Sequence, residues 1–345
     1  MSALPYVNMF GEVAKIGMVL TLITNSLLIY ITVYHIKNIK GAYKFLVLLL
    51  AGLGIVFSVM EIFVHPFMHS FNASFVYFSY GDMFGASKEL KAAIVLLYSV
   101  IYLLIICVIA FQFIYRFFVI TNSKYIRLFS LKHLVWWLLF LSICIFVWSY
   151  SAFIVLPDKF TIDYLKEEMA TEYNQSSADI GGFYIVAYQG SQRSIRINSI
   201  ICTLGLSSAL MVQYVIIIYC GFKIHFKIRE TIESTSGKKY KVQSQLFKTL
   251  VIQITAPSLF YHVPAFLMYL VPYLDLKVSV PSGVMVCFFS VYPAIDTLIL
   301  MWMVTEYHRV IGKLLEKMLN EALNWVKNLT SKAEGDVTTA TTGTS

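Results

Sequence analysis

The chain has 345 residues, 58% of them hydrophobic and only 13% charged, against about 25% charged in an ordinary soluble domain. That balance excludes a water-soluble globule. A formal charge of +8 scattered along the chain fits membrane orientation and excludes a nucleic-acid-binding surface.

Residues 1–15 lack the basic n-region of a cleavable signal peptide, so the first apolar run is expected to insert and stay. Seven runs follow that are long enough, at about 20 residues, to cross some 30 Å of hydrocarbon as helices: 16–34, 45–67, 92–114, 134–156, 197–222, 249–273 and 278–304. Two hold a single acid each, Glu61 and Asp296; the other five hold no charge. Runs this long and uniformly apolar suit helices and not barrel strands. The fold class expected is an all-α membrane protein, a seven-transmembrane helix bundle spanning 1–308.

Orientation follows from lysine and arginine counts. With the N-terminus outside, the inner segments hold three in 35–44, four in 115–133, seven in 223–248 and five after 304, nineteen of the 27 in the chain. The segment after the fourth run is acid-rich, which suits the outer face. Asn72 and Asn174 open N-x-S sequons in outer loops and are glycosylation candidates. After the last span, Val310-Ile311, Leu314-Leu315, Met318-Leu319 and Ala322-Leu323 repeat every four residues. That apolar stripe predicts an amphipathic helix over 309–327 lying in the inner interface. Residues 328–345 are polar and threonine-rich, and are expected to be a disordered cytoplasmic tail.

Charged and polar groups within the spans are functional candidates, because burying them in lipid is costly. At 1.5 Å per residue, Asp296 and Asn25 lie at nearly equal depth, roughly 12 and 13 Å above the inner ends of their helices. A hydrogen bond between them is expected, forming a polar switch near the Pro293 kink. Glu61, His69 and His262 fall in the outer half and are ligand-pocket candidates. Pro257 and Pro264 predict two kinks in the sixth helix, a candidate moving part. On the inner side, Tyr115 and Arg116 end the third helix, followed by Lys124 and Arg127 and then by Lys223, Lys227, Arg229 and Lys248. No glycine-rich phosphate loop, H-E-x-x-H or G-x-S-x-G motif is present. The five cysteines, at 107, 144, 202, 220 and 287, form no zinc-binding spacing and no outer disulfide framework. No catalysis, cofactor or metal is therefore expected.

Several segments, in order, resemble one family. They are Gly41-Ala42-Tyr43-Lys44, the run Glu61-Ile62-Phe63-Val64-His65-Pro66-Phe67-Met68-His69-Ser70, Phe113-Ile114-Tyr115-Arg116-Phe117, Lys248 through Gln253, and Tyr292-Pro293-Ala294-Ile295-Asp296. The chain resembles the nematode serpentine chemoreceptors of the Str and Srj classes over about 10 to 310. That resemblance implies a G-protein-coupled receptor in the plasma membrane of chemosensory neurons, in their sensory cilia, with a small, often volatile ligand and a heterotrimeric G protein as partners; a cavity lined by the chain's many Phe, Tyr, Leu and Met side chains would suit an apolar ligand. It places Tyr115 and Arg116 where rhodopsin-like receptors carry Asp-Arg-Tyr, and Tyr292 through Asp296 where they carry the helix 7 Asn-Pro motif. Two departures stand out. Thr297 replaces the Pro that commonly follows the helix 7 Asp, and the outer segment 157–196 has no cysteine to tie it to the third helix. A ligand-gated seven-helix channel subunit, with its N-terminus inside, and a transporter are the alternatives; the basic-residue count opposes the first, and the lack of an evident inverted repeat opposes the second.

Overall fold

The computed structural model describes residues 3–36, 41–81, 83, 85–190, 192–234, 238–276, 279–281 and 283–342. The spans are α1 (Leu4–Tyr34), α2 (Ala42–Val64), α3 (Lys88–Ile120), α4 (Leu134–Phe153), α6 (Ile197–Ser234), the pair α7 (Lys238–Pro257) and α8 (Val263–Leu274), and α9 (Gly283–Met303). Between α4 and α6 lies a non-spanning helix, α5 (Lys159–Tyr173), and after α9 comes α10 (Thr305–Thr342). The architecture is the seven-helix bundle expected.

The helix limits differ from the apolar runs for local reasons. Pro5 sits in the first turn of α1, where its missing N–H costs nothing, and starts the helix well before residue 16. Ser87 caps α3 by accepting from the Leu90 amide at 3.3 Å, with Glu89 in the first turn. The second span stops at Val64, because His65 takes a left-handed conformation (φ 44°) and Pro66 offers no donor. α6 runs on to Ser234 and carries the basic segment out of the membrane as helix. In the sixth span the two proline kinks take one form. Pro257 ends α7, residues Ser258–His262 make a single wide π turn, and Pro264 opens α8. Prolines that withhold N–H groups on either side of a turn leave carbonyls unmatched, and a π turn absorbs the misfit.

α3 runs through the centre of the bundle and is the most buried span. In lipid, packing and not water exclusion joins helices, so small residues mark the closest approaches. A Cβ at Gly17 of α1 would stand 2.4 Å from the Ser290 carbonyl oxygen of α9, and one at Gly205 of α6 only 1.9 Å from the Ser151 hydroxyl of α4.

The outer loops build a cap that the apolar runs do not reveal. β1 (Pro66–Phe71) and β2 (Ser74–Ser79) form a hairpin, flanked by β3 (Gly182–Val186) and β6 (Ser279–Pro281) in the order β3-β2-β1-β6, all neighbours antiparallel. A two-residue ladder joins β4 (Tyr188–Gln189) to β5 (Ser194–Ile195). Alternation along the strands gives the sheet two apolar faces. Met68, Phe75, Tyr77, Phe183 and Ile185 join the bundle's main core, while Phe67, Val76, Phe78 and Tyr184 pack with Leu165, Met169 and Tyr173 of α5. α5 itself begins in a capping box between Asp158 and Thr161. Burial pushes the Asp158 carboxyl up, but its bonds to Arg196 at 2.5 Å and to the Thr161 amide outweigh this and hold it below the usual carboxylate range. All five cysteines are free, so this sheet and helix do the holding that a disulfide does elsewhere.

On the inner side, Val310, Ile311 and Leu314 of α10 pack against the lower core beside Tyr307, whereas Leu315, Met318, Leu319, Leu323 and Trp325 stand exposed. The backbone is helical through Thr342, so the helix continues past 327 over most of the segment expected to be a disordered tail; the side chains past Trp325 and residues 343–345 lie outside the described residues.

Candidate functional site: an outer cavity and a covered inner arginine

Beneath the capping sheet lies a cavity of about 280 Å³, just under the usual range for ligand pockets, about 300–1,000 Å³. Its roof is the inner face of the sheet, and its floor is aromatic. Tyr98, Tyr102 and Phe289 form it, Phe289 meeting Tyr102 edge to face (ring centroids 5.0 Å apart) and Tyr98 backed by Phe57 (4.4 Å) outside the cavity. One pole is polar. The Tyr214 hydroxyl of α6 bonds to Ser258 Oγ at 2.7 Å and to His262 Nδ1, joining α6 to the π turn. The π turn thus brings both Ser258 and His262 to the cavity. A second polar contact lies across it, where Trp148 Nε1 donates to Ser99 Oγ at 3.0 Å.

Of the expected pocket residues, His262 lines this cavity and the other two do not. Glu61 is buried one helix away, accepting from Ser290 Oγ at 2.5 Å, and ties α2 to α9. His69 belongs to β1 and not to the outer end of a helix, for the reason given by His65 and Pro66. Strand alternation turns it towards α5, where Nε2 meets Glu168 Oε1 at 2.9 Å and Nδ1 meets the Tyr173 hydroxyl at 2.9 Å. Ser279 Oγ of β6 donates to the same Glu168 oxygen at 2.5 Å, so one carboxylate fastens α5 to two strands. Burial lowers the His69 pKa, and Glu168 opposes that shift.

The expected bond between Asn25 and Asp296 is not formed. Thr297 donates instead to Asn25 Oδ1, while the Asp296 carboxylate meets the Tyr292 hydroxyl at 3.5 Å and its carbonyl accepts from Gln253 Nε2 at 3.3 Å. One residue along a helix rotates the side chain by about 100°, enough to exchange partners between α1 and α7. Pro293 lies in the same layer, its Cβ only 3.2 Å from where a Cβ on Gly54 would be. Thr297, the departure from the family pattern, thus supplies the donor.

At the inner end of α3, Arg116 is 2% exposed. Its guanidinium carbon lies 3.5 Å from the centroid of Tyr43, and Tyr43 stacks on Tyr115 at 5.9 Å. Lys124 and Arg127 are exposed on a short 3-10 turn, and Lys223, Arg229 and Lys248 are exposed on α6 and α7, with Lys227 bonded to Glu230 at 2.8 Å. Asn72 sits half-buried in the β1–β2 turn, and Asn174 is exposed as the left-handed C-cap of α5. The sequence reading missed Tyr214, Ser258 and Tyr43, which carry no charge to mark them. It also missed the hairpin, whose signal was present as turn residues Asn72-Ala73 between alternating aromatic positions.

A family model described as serpentine type 7TM GPCR chemoreceptor Str matches residues 11–312. The chain belongs to that family. Among its relatives, the G-protein coupled receptor str-33 of Caenorhabditis elegans is 37% identical over 308 residues, covering 88% of this chain and 89% of the relative. The serpentine receptor class r-10 of the same nematode is 24% identical over 319 residues, 91% of this chain and 93% of the relative. Squid rhodopsin has a similar fold, with a TM-score of 0.58 at 12% identity over 91% of this chain and 87% of that one. The receptor is thus a multi-pass membrane protein of the G-protein-coupled class, and its relatives are receptors.

Proposed function

We propose that this receptor detects small apolar odorants at the plasma membrane of chemosensory neurons, in their sensory cilia, and activates a heterotrimeric G protein. The observation that carries the reading is the cavity itself. It is roofed and floored by aromatic side chains, has one polar pole at Tyr214, Ser258 and His262, and touches the helices whose movement a receptor needs. A ligand at that pole biases the π turn between α7 and α8, and with it the packing of the inner ends of α3, α7 and α9. The inner partner surface comprises Tyr115, Arg116, Lys124, Arg127, Lys223, Lys227, Arg229 and Lys248. Arg116, covered by Tyr43 in this arrangement, is the group released on activation. The exposed apolar stripe of α10 rests on the inner leaflet, and Asn72 and Asn174 are the glycosylation sites.

The test is G-protein activation in a heterologous cell, with surface level measured, across a panel of volatile and soluble compounds. Wild type is expected to respond to apolar members. Phe289→Trp, which fills the cavity floor, and Arg116→Ala, which alters the inner face, are each expected to abolish the response at equal surface level. A ligand-evoked current that persists with G proteins blocked would replace this reading with the channel one.

A further inference from the structure

The cavity is shut on the side from which a water-borne molecule would come. Its roof is a sheet paired over six residue positions between β1 and β2 and five between β2 and β3. α5 covers the far face, and Glu168 fastens it through His69 and Ser279. A route through this roof requires breaking strand pairs, because each side of the sheet is sealed by packed side chains.

The wall between α6 and α8 is built differently. Hydrogen bonds frame it at both ends, Thr203 Oγ1 to the Tyr273 hydroxyl at 3.0 Å above and the Tyr214 hydroxyl to Ser258 and His262 below. Thr203 to Tyr214 on one helix and His262 to Tyr273 on the other are the same rise, about 16 Å. Between these sills, Met211, Val263 and Phe266 line the cavity while being 57%, 52% and 43% exposed. A side chain that borders the cavity and the outer surface at once marks a wall one residue thick. That surface is apolar, continuing into Leu204, Leu259 and Leu267, and it lies at the depth of the hydrocarbon.

We propose that ligands reach the cavity sideways from the bilayer, through the window between α6 and α8, so that the receptor samples molecules dissolved in its own membrane. This rests on the reading of the cavity as the ligand site. The occupant is an apolar molecule with one hydrogen-bonding group for the Tyr214 pole. Each methylene raises the membrane concentration of such a ligand about fourfold, so potency rises with chain length until the cavity is full.

The route can be tested without a known ligand. The full chain in lipid nanodiscs is mixed with a small apolar photolabel, 3-trifluoromethyl-3-phenyldiazirine, or with its benzoate, which stays in water. Light is given at increasing delays, and labelled peptides are mapped by mass spectrometry. The inward residues of the roof, Phe75, Tyr77, Phe183 and Ile185, report the cavity, and Leu204 reports the lipid. The apolar label is expected on both sets, the benzoate on neither. In Met211→Trp/Val263→Trp the roof residues should label severalfold more slowly while Leu204 is unchanged; Leu204→Trp, equally bulky but off the window, should leave the roof's rate unaltered. Roof labelling by the benzoate as fast as by the apolar reagent, no roof labelling by the apolar reagent, or an unchanged rate in the double variant would each overturn the proposal. None of these outcomes depends on signalling, so a failure here is distinct from a failure of the receptor reading.

Discussion

Arg116 lies over the Tyr43 ring, with its guanidinium carbon 3.5 Å from the ring centroid and the side chain almost wholly buried. A cation on an aromatic face in such a site is worth about 0.5–2 kcal/mol. If this contact holds the resting arrangement, Tyr43→Ala raises ligand-independent G-protein activation by roughly 2- to 30-fold, the same energy expressed as a population shift. Tyr43→Phe keeps the ring and should stay near wild type. Basal activity normalised to surface level is the measurement, and equal basal activity in Tyr43→Ala and wild type would refute the lock.

Asn25 and Thr297 form the polar contact between α1 and α9. Thr297→Val keeps the shape and leaves Asn25 Oδ1 without its donor, which costs about 1–3 kcal/mol in a buried site. Asn25→Leu removes both needs, so the double variant should recover part of the loss. A double-mutant cycle on thermal stability in detergent checks this. Additive losses would show that the contact contributes nothing.

Gly17 leaves no room for a methyl group, since its Cβ would stand 2.4 Å from the Ser290 carbonyl oxygen. Gly17→Ala must move α1 away from α9, at about 1–3 kcal/mol by analogy with overpacked cores. Gly11 has open space around it, so Gly11→Ala is the matched control. Melting temperatures should fall for the first and hold for the second.

His69 makes the cap sensitive to acid. Its pKa in the folded chain lies below the ordinary value of 6.5, with burial as the main cause. Between those values the unfolded chain binds more protons. The stabilisation is therefore complete above about pH 6.5 and is lost as pH falls through the folded pKa. The protonated ring could not accept from Tyr173, although Glu168 would still receive its other proton. His65, also lowered by burial and then by Lys15, adds a slope of the same sign. The decisive comparison is thus the pH dependence of melting in wild type and His69→Gln. A slope left unchanged by the substitution would remove His69 from the account.

The spans were legible because hydrocarbon imposes one demand, an uncharged run, and composition displays it directly. His262 was legible for the same reason, as an isolated polar group in such a run. Glu61 and Asp296 were found by that rule too, but their partners were not, because a one-residue rotation decides whether Asn25 meets Asp296 or Thr297. Of the cap, only the β1–β2 turn at Asn72-Ala73 left a local signal, and the assembled sheet left none. Its strands are short and apolar on both faces, and β3 and β6 reach the hairpin from two other loops, so no single stretch of sequence carries the pattern of the four-stranded sheet.

That cap separates two inheritances along each strand. Changing Met68, Phe75, Tyr77, Phe183 or Ile185 alters what the cavity admits, while Phe67, Val76, Phe78 and Tyr184 go on holding α5. Under the function proposed above, a lineage of such receptors can therefore diversify its ligand choice at every second residue without renegotiating how the outer face is assembled. A one-residue insertion, which exchanges the two sets at once, is the change that such a lineage should shed.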